Sequence, residues 1–124
     1  MQVKELVSYF NQLAPFTYQE SYDNSGLLVG DPQSEVKGVL VALDCIESIV
    51  DEAILHGANV IVTHHPIIFK GLKRITGANY VERTVLKAIK NDISLIAIHT
   101  NLDHVHFGVN HIISEKLEIG RAHV

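Results

Sequence analysis

Histidine is the residue type that stands out in this sequence, because eight of the 124 residues are histidines. Two of them, His64 and His65, are adjacent, and His99 opens a short segment that closes with Asp103. Imidazole and carboxylate groups are common ligands of divalent transition metals, and imidazole also carries protons near neutral pH. These residues therefore indicate metal binding, proton transfer or both.

Both segments directly follow apolar runs that are typical of buried β-strands. The strand predicted at Asn59–Thr63 runs into the histidine pair, and the strand predicted at Ile93–Ile98 runs into His99. In open α/β sheets, ligands bind beyond the carboxyl ends of the strands. If the two strands are parallel neighbours, two imidazoles and a carboxylate meet at one edge of the sheet.

The adjacent histidines can bind metal in two ways. Successive residues on a regular strand point to opposite faces of the sheet, so His64 and His65 can share one ion only if the strand ends there. Pro66 marks such an ending. Alternatively, each histidine binds its own ion, with a carboxylate between two ions about 3.5–4 Å apart. The residues alone leave both arrangements open.

The loop after the histidine pair is basic, with Lys70, Lys73 and Arg74, and no Asp or Glu occurs from Ala53 through Val81. In a chain of net charge −4, such a stretch can attract an anion such as phosphate. An ordinary solvated loop is the alternative interpretation.

The other candidates carry weaker signals. We expect His104, His106 and His111 to be surface residues or to support the ligands, since they lead into or lie in the last predicted helix. Cys45 also follows a predicted strand, but no base accompanies it, so we expect a buried structural thiol.

Apolar strands alternate with amphipathic helices, which predicts an α/β fold with a largely parallel sheet and helices on both faces. A further strand is predicted within Lys37–Leu43 and is expected to be buried on both faces. Pro15 ends the first helix. Asp44 is expected to cap the second helix and Gly57 to end it, and Asn79 to cap the third.

Composition excludes several classes of protein. Ten Lys and Arg against fourteen Asp and Glu argue against a general nucleic-acid binder. No apolar run approaches the roughly 20 residues of a membrane span. A single cysteine cannot form an internal disulfide, which favours the reducing cytoplasm. The motifs of phosphate-binding loops, dinucleotide-binding folds and serine hydrolases are absent from the sequence, so metal-assisted hydrolysis is the remaining enzymatic interpretation.

Four motifs, taken together, resemble one family. They are Tyr22–Leu27, Val41–Asp44, Thr63–Pro66 and His99–Asp103. Their order and spacing are similar to those of the NGG-interacting-factor-three-like proteins, a family of dinuclear metal proteins also called GTP cyclohydrolase I type 2 proteins. The resemblance covers about Val3 to Leu117.

The resemblance implies a two-lobed α/β fold, two divalent ions (Zn, Fe, Mn or Co) between the lobes, and a ring-shaped homohexamer. It implies His64, His65 and Asp103 as metal ligands, with His99 lining the same cavity as an acid/base candidate. A second lobe would supply a further histidine and a bridging glutamate. From the charge of their loop, we expect Lys70, Lys73 and Arg74 to steer an anionic nucleotide.

We therefore expect residues 1–118 to form the first lobe. Residues 119–124 are expected to be a non-native tail, because they can be back-translated to a sequence that resembles a sequencing-library adapter. The complete protein is expected to be a metal-dependent hydrolase of the GTP cyclohydrolase kind, and this chain alone to be inactive. A metal-dependent phosphoesterase and a non-catalytic regulatory or scaffold protein are the alternatives.

Overall fold

The computed structural model describes residues 1–15 and 24–98. The predictions for His99, Asp103, the later histidines and the tail at 119–124 lie outside the described residues. The described elements are α1 (Val3–Leu13), β1 (Gly26–Val29), β2 (Val39–Ala42), α2 (Glu47–His56), β3 (Val60–Thr63), α3 (Tyr80–Lys90) and β4 (Ser94–Ala97). Within this part of the chain, the helices are too short or too polar to cross a membrane.

The four strands form one sheet in the order β1-β4-β3-β2. β2, β3 and β4 run parallel, whereas β1 pairs with β4 in the antiparallel direction. The prediction of an α/β fold with a largely parallel sheet is confirmed. Thr63 is in register with Ala42 on one side and with Ala97 on the other. The three parallel strands therefore end level with one another at one edge of the sheet.

β3 lies at the centre of the core and contacts helices on both faces. Val60 and Val62 belong to a cluster with Val3 of α1, whereas Ile61 belongs to a cluster with Val50 of α2. α3 contributes to that second cluster as well. Fully burying one such aliphatic side chain stabilises a fold by about 1.5–3 kcal/mol. Helices on both faces of the sheet were predicted, and the two clusters confirm this prediction.

β2 is less buried than its sequence predicts. Val39 and Val41 are 42% and 75% exposed, so the expectation of a strand buried on both faces was wrong. β2 is the outer strand of the described sheet, with β3 on one side. An apolar run shows that a strand can be buried, but it does not show whether a second strand and two helices cover it.

Several helix ends were predicted from single residues. α1 ends at Leu13, just before Pro15. α2 ends at His56, and the next residue, Gly57, caps it with a φ of 71°, in the left-handed region that favours glycine. The Asn79 side chain caps α3 by accepting from the backbone N–H of Glu82 at 2.9 Å. These predictions are confirmed.

The predicted cap at Asp44 was wrong. α2 begins at Glu47 with Ile46 at the N-cap position, and no side chain caps this end of the helix. The Asp44 carboxylate instead contacts a histidine on the neighbouring strand end. The Asp44 side chain therefore pairs with a residue that is distant in sequence and not with the N-terminus of α2.

Glu82 joins α3 to the loop that precedes it. Its carboxylate is buried and accepts from the backbone N–H of Thr76 at 2.9 Å, from the Thr76 hydroxyl at 3.2 Å and from the Ala78 N–H at 3.4 Å. The Thr76 N–H is the main reason that the pKa of Glu82 lies below its ordinary value of 4.5. The charged form of Glu82 therefore holds the loop in place.

The substitution Glu82→Gln should lower the melting temperature at about pH 7, because an amide cannot accept from all of these donors. A carboxyl whose pKa is lowered by folding stabilises the fold above its unfolded pKa, and this contribution is lost as pH falls through the folded pKa. The melting-temperature difference between wild type and variant, followed by circular dichroism, should therefore shrink below pH 4.5. Glu52→Gln, at an exposed position of α2, is the control. A difference that stays constant down to about pH 3 would contradict this role for the charge.

Candidate metal centre

The candidate site lies at the edge of the sheet where the three parallel strands end. His64 and His65 directly follow β3, Asp44 follows β2, and Ile98 follows β4. The expectation that β3 and β4 are parallel neighbours is confirmed. The prediction that the histidine pair lies at a common strand edge therefore holds for the described residues.

Backbone hydrogen bonds continue the sheet past the end of β3. The N–H of His65 donates to the carbonyl of Leu43 at 3.1 Å, and the N–H of Ile98 donates to the carbonyl of Thr63 at 2.9 Å. The buried Thr63 hydroxyl donates to the carbonyl of His65 at 2.7 Å. These bonds attach the histidine segment to both neighbouring strand ends.

The two imidazole rings lie side by side, not on opposite faces of the sheet. Their centroids are 5.1 Å apart and their planes are inclined by 44°. Side chains at successive positions of a regular strand would point in opposite directions. The strand has therefore ended at Thr63, which is the condition under which the two histidines can serve one site.

The His64 ring is oriented by a backbone group. Its Nδ1 lies 3.0 Å from the carbonyl oxygen of Ile98, beyond the end of β4. Because a carbonyl oxygen only accepts, Nδ1 carries the proton in this bond. In the neutral ring, the lone pair is then on Nε2. A metal-binding histidine usually has its other nitrogen held in this way.

The His65 ring is oriented by a side chain. Its Nδ1 lies 2.6 Å from Oδ1 of Asp44, so this ring also carries its proton on Nδ1 when it is neutral. The side chains of His65 and Asp44 are 45% and 57% exposed. Histidines that bind zinc commonly donate to a carboxylate in this arrangement.

Asp44 was not predicted from the sequence as a residue of the site. Its position after β2, at the edge where the histidines follow β3, was the available signal. The pattern of Asp44 with Glu47 matched a helix cap and hid this alternative.

The histidine pair alone does not complete a metal site. Among residues 1–15 and 24–98, no three His, Cys, Asp or Glu side chains come together closely enough to hold an ion. The predicted third ligand, Asp103, and the acid/base candidate, His99, lie outside this range. Two imidazole nitrogens nevertheless suit divalent transition metals such as Zn, Fe, Mn and Co.

Asn24 connects the start of β1 to the chain that follows the histidines. Its Nδ2 donates to the carbonyl of Ile68 at 2.7 Å. β1 starts opposite the end of β4, since Gly26 is in register with Ala97. This part of the Tyr22–Leu27 motif therefore has a structural role next to the site.

The predicted anion-binding residues are exposed and are only partly brought together. Lys73 and Arg74 line a surface cavity of about 330 Å³, which Glu82 also lines. Lys70 and the two histidines are not among the residues that line this cavity. This cavity therefore includes two of the three predicted basic residues and neither histidine.

Cys45 has the structural character that its sequence predicts. Its side chain is buried, and burial raises the pKa of the thiol to about 11. The thiol is therefore neutral at physiological pH and is a poor nucleophile or metal ligand.

Two known proteins with similar sequences have the same name. A GTP cyclohydrolase 1 type 2 homolog of Staphylococcus epidermidis is 43% identical over 117 residues, which are 94% of this chain and 32% of that protein. The homolog of Clostridium acetobutylicum is 37% identical over 124 residues, which are 100% of this chain and 46% of that protein. The chain thus spans about a third to a half of the length of these relatives.

Solved structures of related proteins are similar to this chain in both fold and sequence. Staphylococcus aureus protein SA1388 has a TM-score of 0.90 at 45% identity, over 95% of this chain and 38% of that one. A Bacillus cereus protein related to NIF3 has a TM-score of 0.87 at 42% identity, over 94% and 32% of the two chains. The family model of Duf34/NIF3 (NGG1p interacting factor 3) matches residues 1–124. This chain therefore belongs to the DUF34/NIF3 family.

Proposed function

We propose that His64 and His65 are ligands of a divalent-metal centre in a hydrolytic enzyme. The observation that carries this proposal is the pairing of both Nδ1 atoms with oxygen acceptors, at 3.0 Å and 2.6 Å. Each bond leaves the Nε2 lone pair of the neutral ring as the coordinating group and fixes the direction of the ring. Histidines that bind metal usually have their other ring nitrogen held by a carboxylate or carbonyl oxygen, as both rings have here.

Asp103 is proposed as a further ligand from this chain, and two ions as the full complement of the site. A divalent ion supplies Lewis acidity and makes hydroxide available as a nucleophile near neutral pH. His99, which follows Ile98 in the sequence, is proposed to hold or deliver a proton during hydrolysis. The donor set does not distinguish between Zn, Fe, Mn and Co.

The proposed substrate is an anionic nucleotide, and GTP is the first candidate because relatives are named GTP cyclohydrolase 1 type 2 homologs. Lys73 and Arg74 are proposed to contact its phosphates, since they share one cavity. Lys70 precedes them in the same exposed loop and would add to the positive potential. We further propose that the complete protein acts in the cytoplasm as a ring-shaped homohexamer.

Removal of either ring should weaken metal binding. We expect His64→Ala and His65→Ala each to raise the Kd of the 124-residue chain for Zn²⁺ by about 100-fold or more, since loss of a supporting residue alone typically costs 10–100-fold. Isothermal titration calorimetry measures the Kd. His56→Ala, in the last turn of α2, is the matched control and should bind Zn²⁺ as the wild type does. Equal affinities in all four proteins would contradict the metal centre.

Turnover is tested in a complete family protein that contains this lobe. With Zn²⁺, Mn²⁺ or Fe²⁺ present, we expect hydrolysis of GTP, and substitution of the residues that match His64 and Asp103 should abolish it while the oligomer stays intact. Liquid chromatography of the products and size-exclusion chromatography are the measurements. Hydrolysis of simple phosphoesters but not GTP would favour the phosphoesterase. Metal binding without turnover of either substrate would contradict the enzyme and favour a non-catalytic module.

The basic loop should act on substrate binding and not on the chemical step. In the complete family protein, we expect substitution to Met of both residues that match Lys73 and Arg74 to raise the KM for GTP about tenfold, which corresponds to one lost hydrogen bond to a charged group. The kcat should stay unchanged. Steady-state kinetics at low and high salt measure both constants. Substitution to Met of the residues that match Lys37 and Lys90 removes the same charge elsewhere and is the control. An unchanged KM would contradict this role.

A further inference from the structure

We infer that Asp44 is a positioning residue for metal binding: its carboxylate holds the His65 ring in the tautomer and direction that present Nε2 to the ion. This inference rests on the proposed metal centre. It assigns to Asp44 a role that is separate from that of the ligands, because Asp44 contacts the far nitrogen of the ring and not the coordinating one.

The position of Asp44 suits this role. β2 and β3 are in register through Ala42 and Thr63, so the residues that follow the two strands lie next to one another. The His65 N–H donates to the carbonyl of Leu43, the residue directly before Asp44. The backbone thus brings the carboxylate to the histidine, and the side-chain bond of 2.6 Å completes the contact.

The two histidines differ in what orients them. A backbone carbonyl, that of Ile98, accepts from His64, so this orientation is independent of side-chain identity. The His65 ring is instead bonded to a side chain, that of Asp44, which is 57% exposed. The His65 ring is 45% exposed, and we therefore expect it to sample other rotamers and the Nε2–H tautomer when the carboxylate is removed. Fixing the ring in one rotamer and one tautomer would then cost free energy on metal binding and would weaken it.

Substitutions of Asp44 separate orientation from charge. Asp44→Ala removes both, whereas Asp44→Asn removes the charge but keeps an oxygen that can accept from Nδ1–H. We expect Asp44→Ala to raise the Kd for Zn²⁺ by 10–100-fold, the usual effect of losing a carboxylate behind a metal-binding histidine. Asp44→Asn should recover most of the affinity. Glu52→Gln removes one exposed negative charge from α2 and should leave the Kd unchanged.

The tautomer supplies a measurement that does not depend on metal. Long-range ¹H–¹⁵N correlation spectra of the metal-free chain, recorded at about pH 8, above the ordinary pKa of about 6.5 of an unperturbed histidine, report which ring nitrogen carries the proton. We expect Nδ1–H for His65 in the wild type and in Asp44→Asn. In Asp44→Ala, a substantial Nε2–H population should appear for His65 but not for His64.

The outcomes distinguish this inference from the proposed metal centre. If His65→Ala weakens Zn²⁺ binding while Asp44→Ala changes neither the Kd nor the tautomer, the positioning role is wrong and the metal centre stands. A second contrary outcome is that Asp44→Asn binds Zn²⁺ as weakly as Asp44→Ala although its His65 ring is the Nδ1–H tautomer. In that case the carboxylate acts through its charge and not through orientation, and the inference is also overturned. If His64→Ala and His65→Ala bind Zn²⁺ as tightly as the wild type, the metal centre itself fails.

Discussion

The candidate site depends on one constraint, which is that the three parallel strands end in register at the same edge of the sheet. Thr63 is paired with both Ala42 and Ala97, so the residues that follow β2, β3 and β4 reach the same edge together. A slip of one residue would turn every side chain of a strand to the opposite face. β3 resists such a slip because all four of its residues are buried and its alternate side chains pack into different clusters. The core thus fixes the positions of the two histidines before any ligand is bound.

The contacts at this edge of the sheet explain how His64 and His65, although adjacent in sequence, can serve one site. The backbone of the histidine segment bonds to the end of β2 through His65 and Leu43, and the end of β4 bonds to it through Ile98 and Thr63. The rings then take their acceptors from opposite sides, His64 from the β4 side and His65 from the β2 side. Each ring is oriented by a different neighbour of β3, and the central position of that strand makes both contacts available.

The features that sequence predicted well are those that depend on residues close together in the chain. The caps at Gly57 and Asn79 and the buried strand β3 follow from local patterns. The exposure of Val41 on β2 does not, because an apolar run gives no information on which strand or helix lies beside it. The sequence is compatible with either position in a sheet.

Asp44 illustrates the same limit at the site. A carboxylate just before a helix satisfies the local pattern of a cap, and a carboxylate after a parallel strand satisfies the long-range pattern of a site residue. Which of the two applies depends on the distance to a partner some twenty residues away in sequence, and the 2.6 Å bond to His65 decides it. His64 was predicted as a ligand from its neighbours, but its acceptor is a backbone carbonyl, which no side-chain pattern can reveal.

The exposure of the pair bears on the kind of metal centre that is proposed. Structural zinc sites are closed by four protein ligands, whereas catalytic sites keep one position open for water or substrate. The His65 ring is 45% exposed, so solvent reaches this part of the site in the described lobe. Two partly exposed imidazoles compete poorly with water for an ion. Tight binding therefore requires further ligands, of which Asp103 is the one proposed from this chain. The 45% exposure of the His65 ring is compatible with the proposed hydrolytic role, which requires that a nucleophile reach the ion.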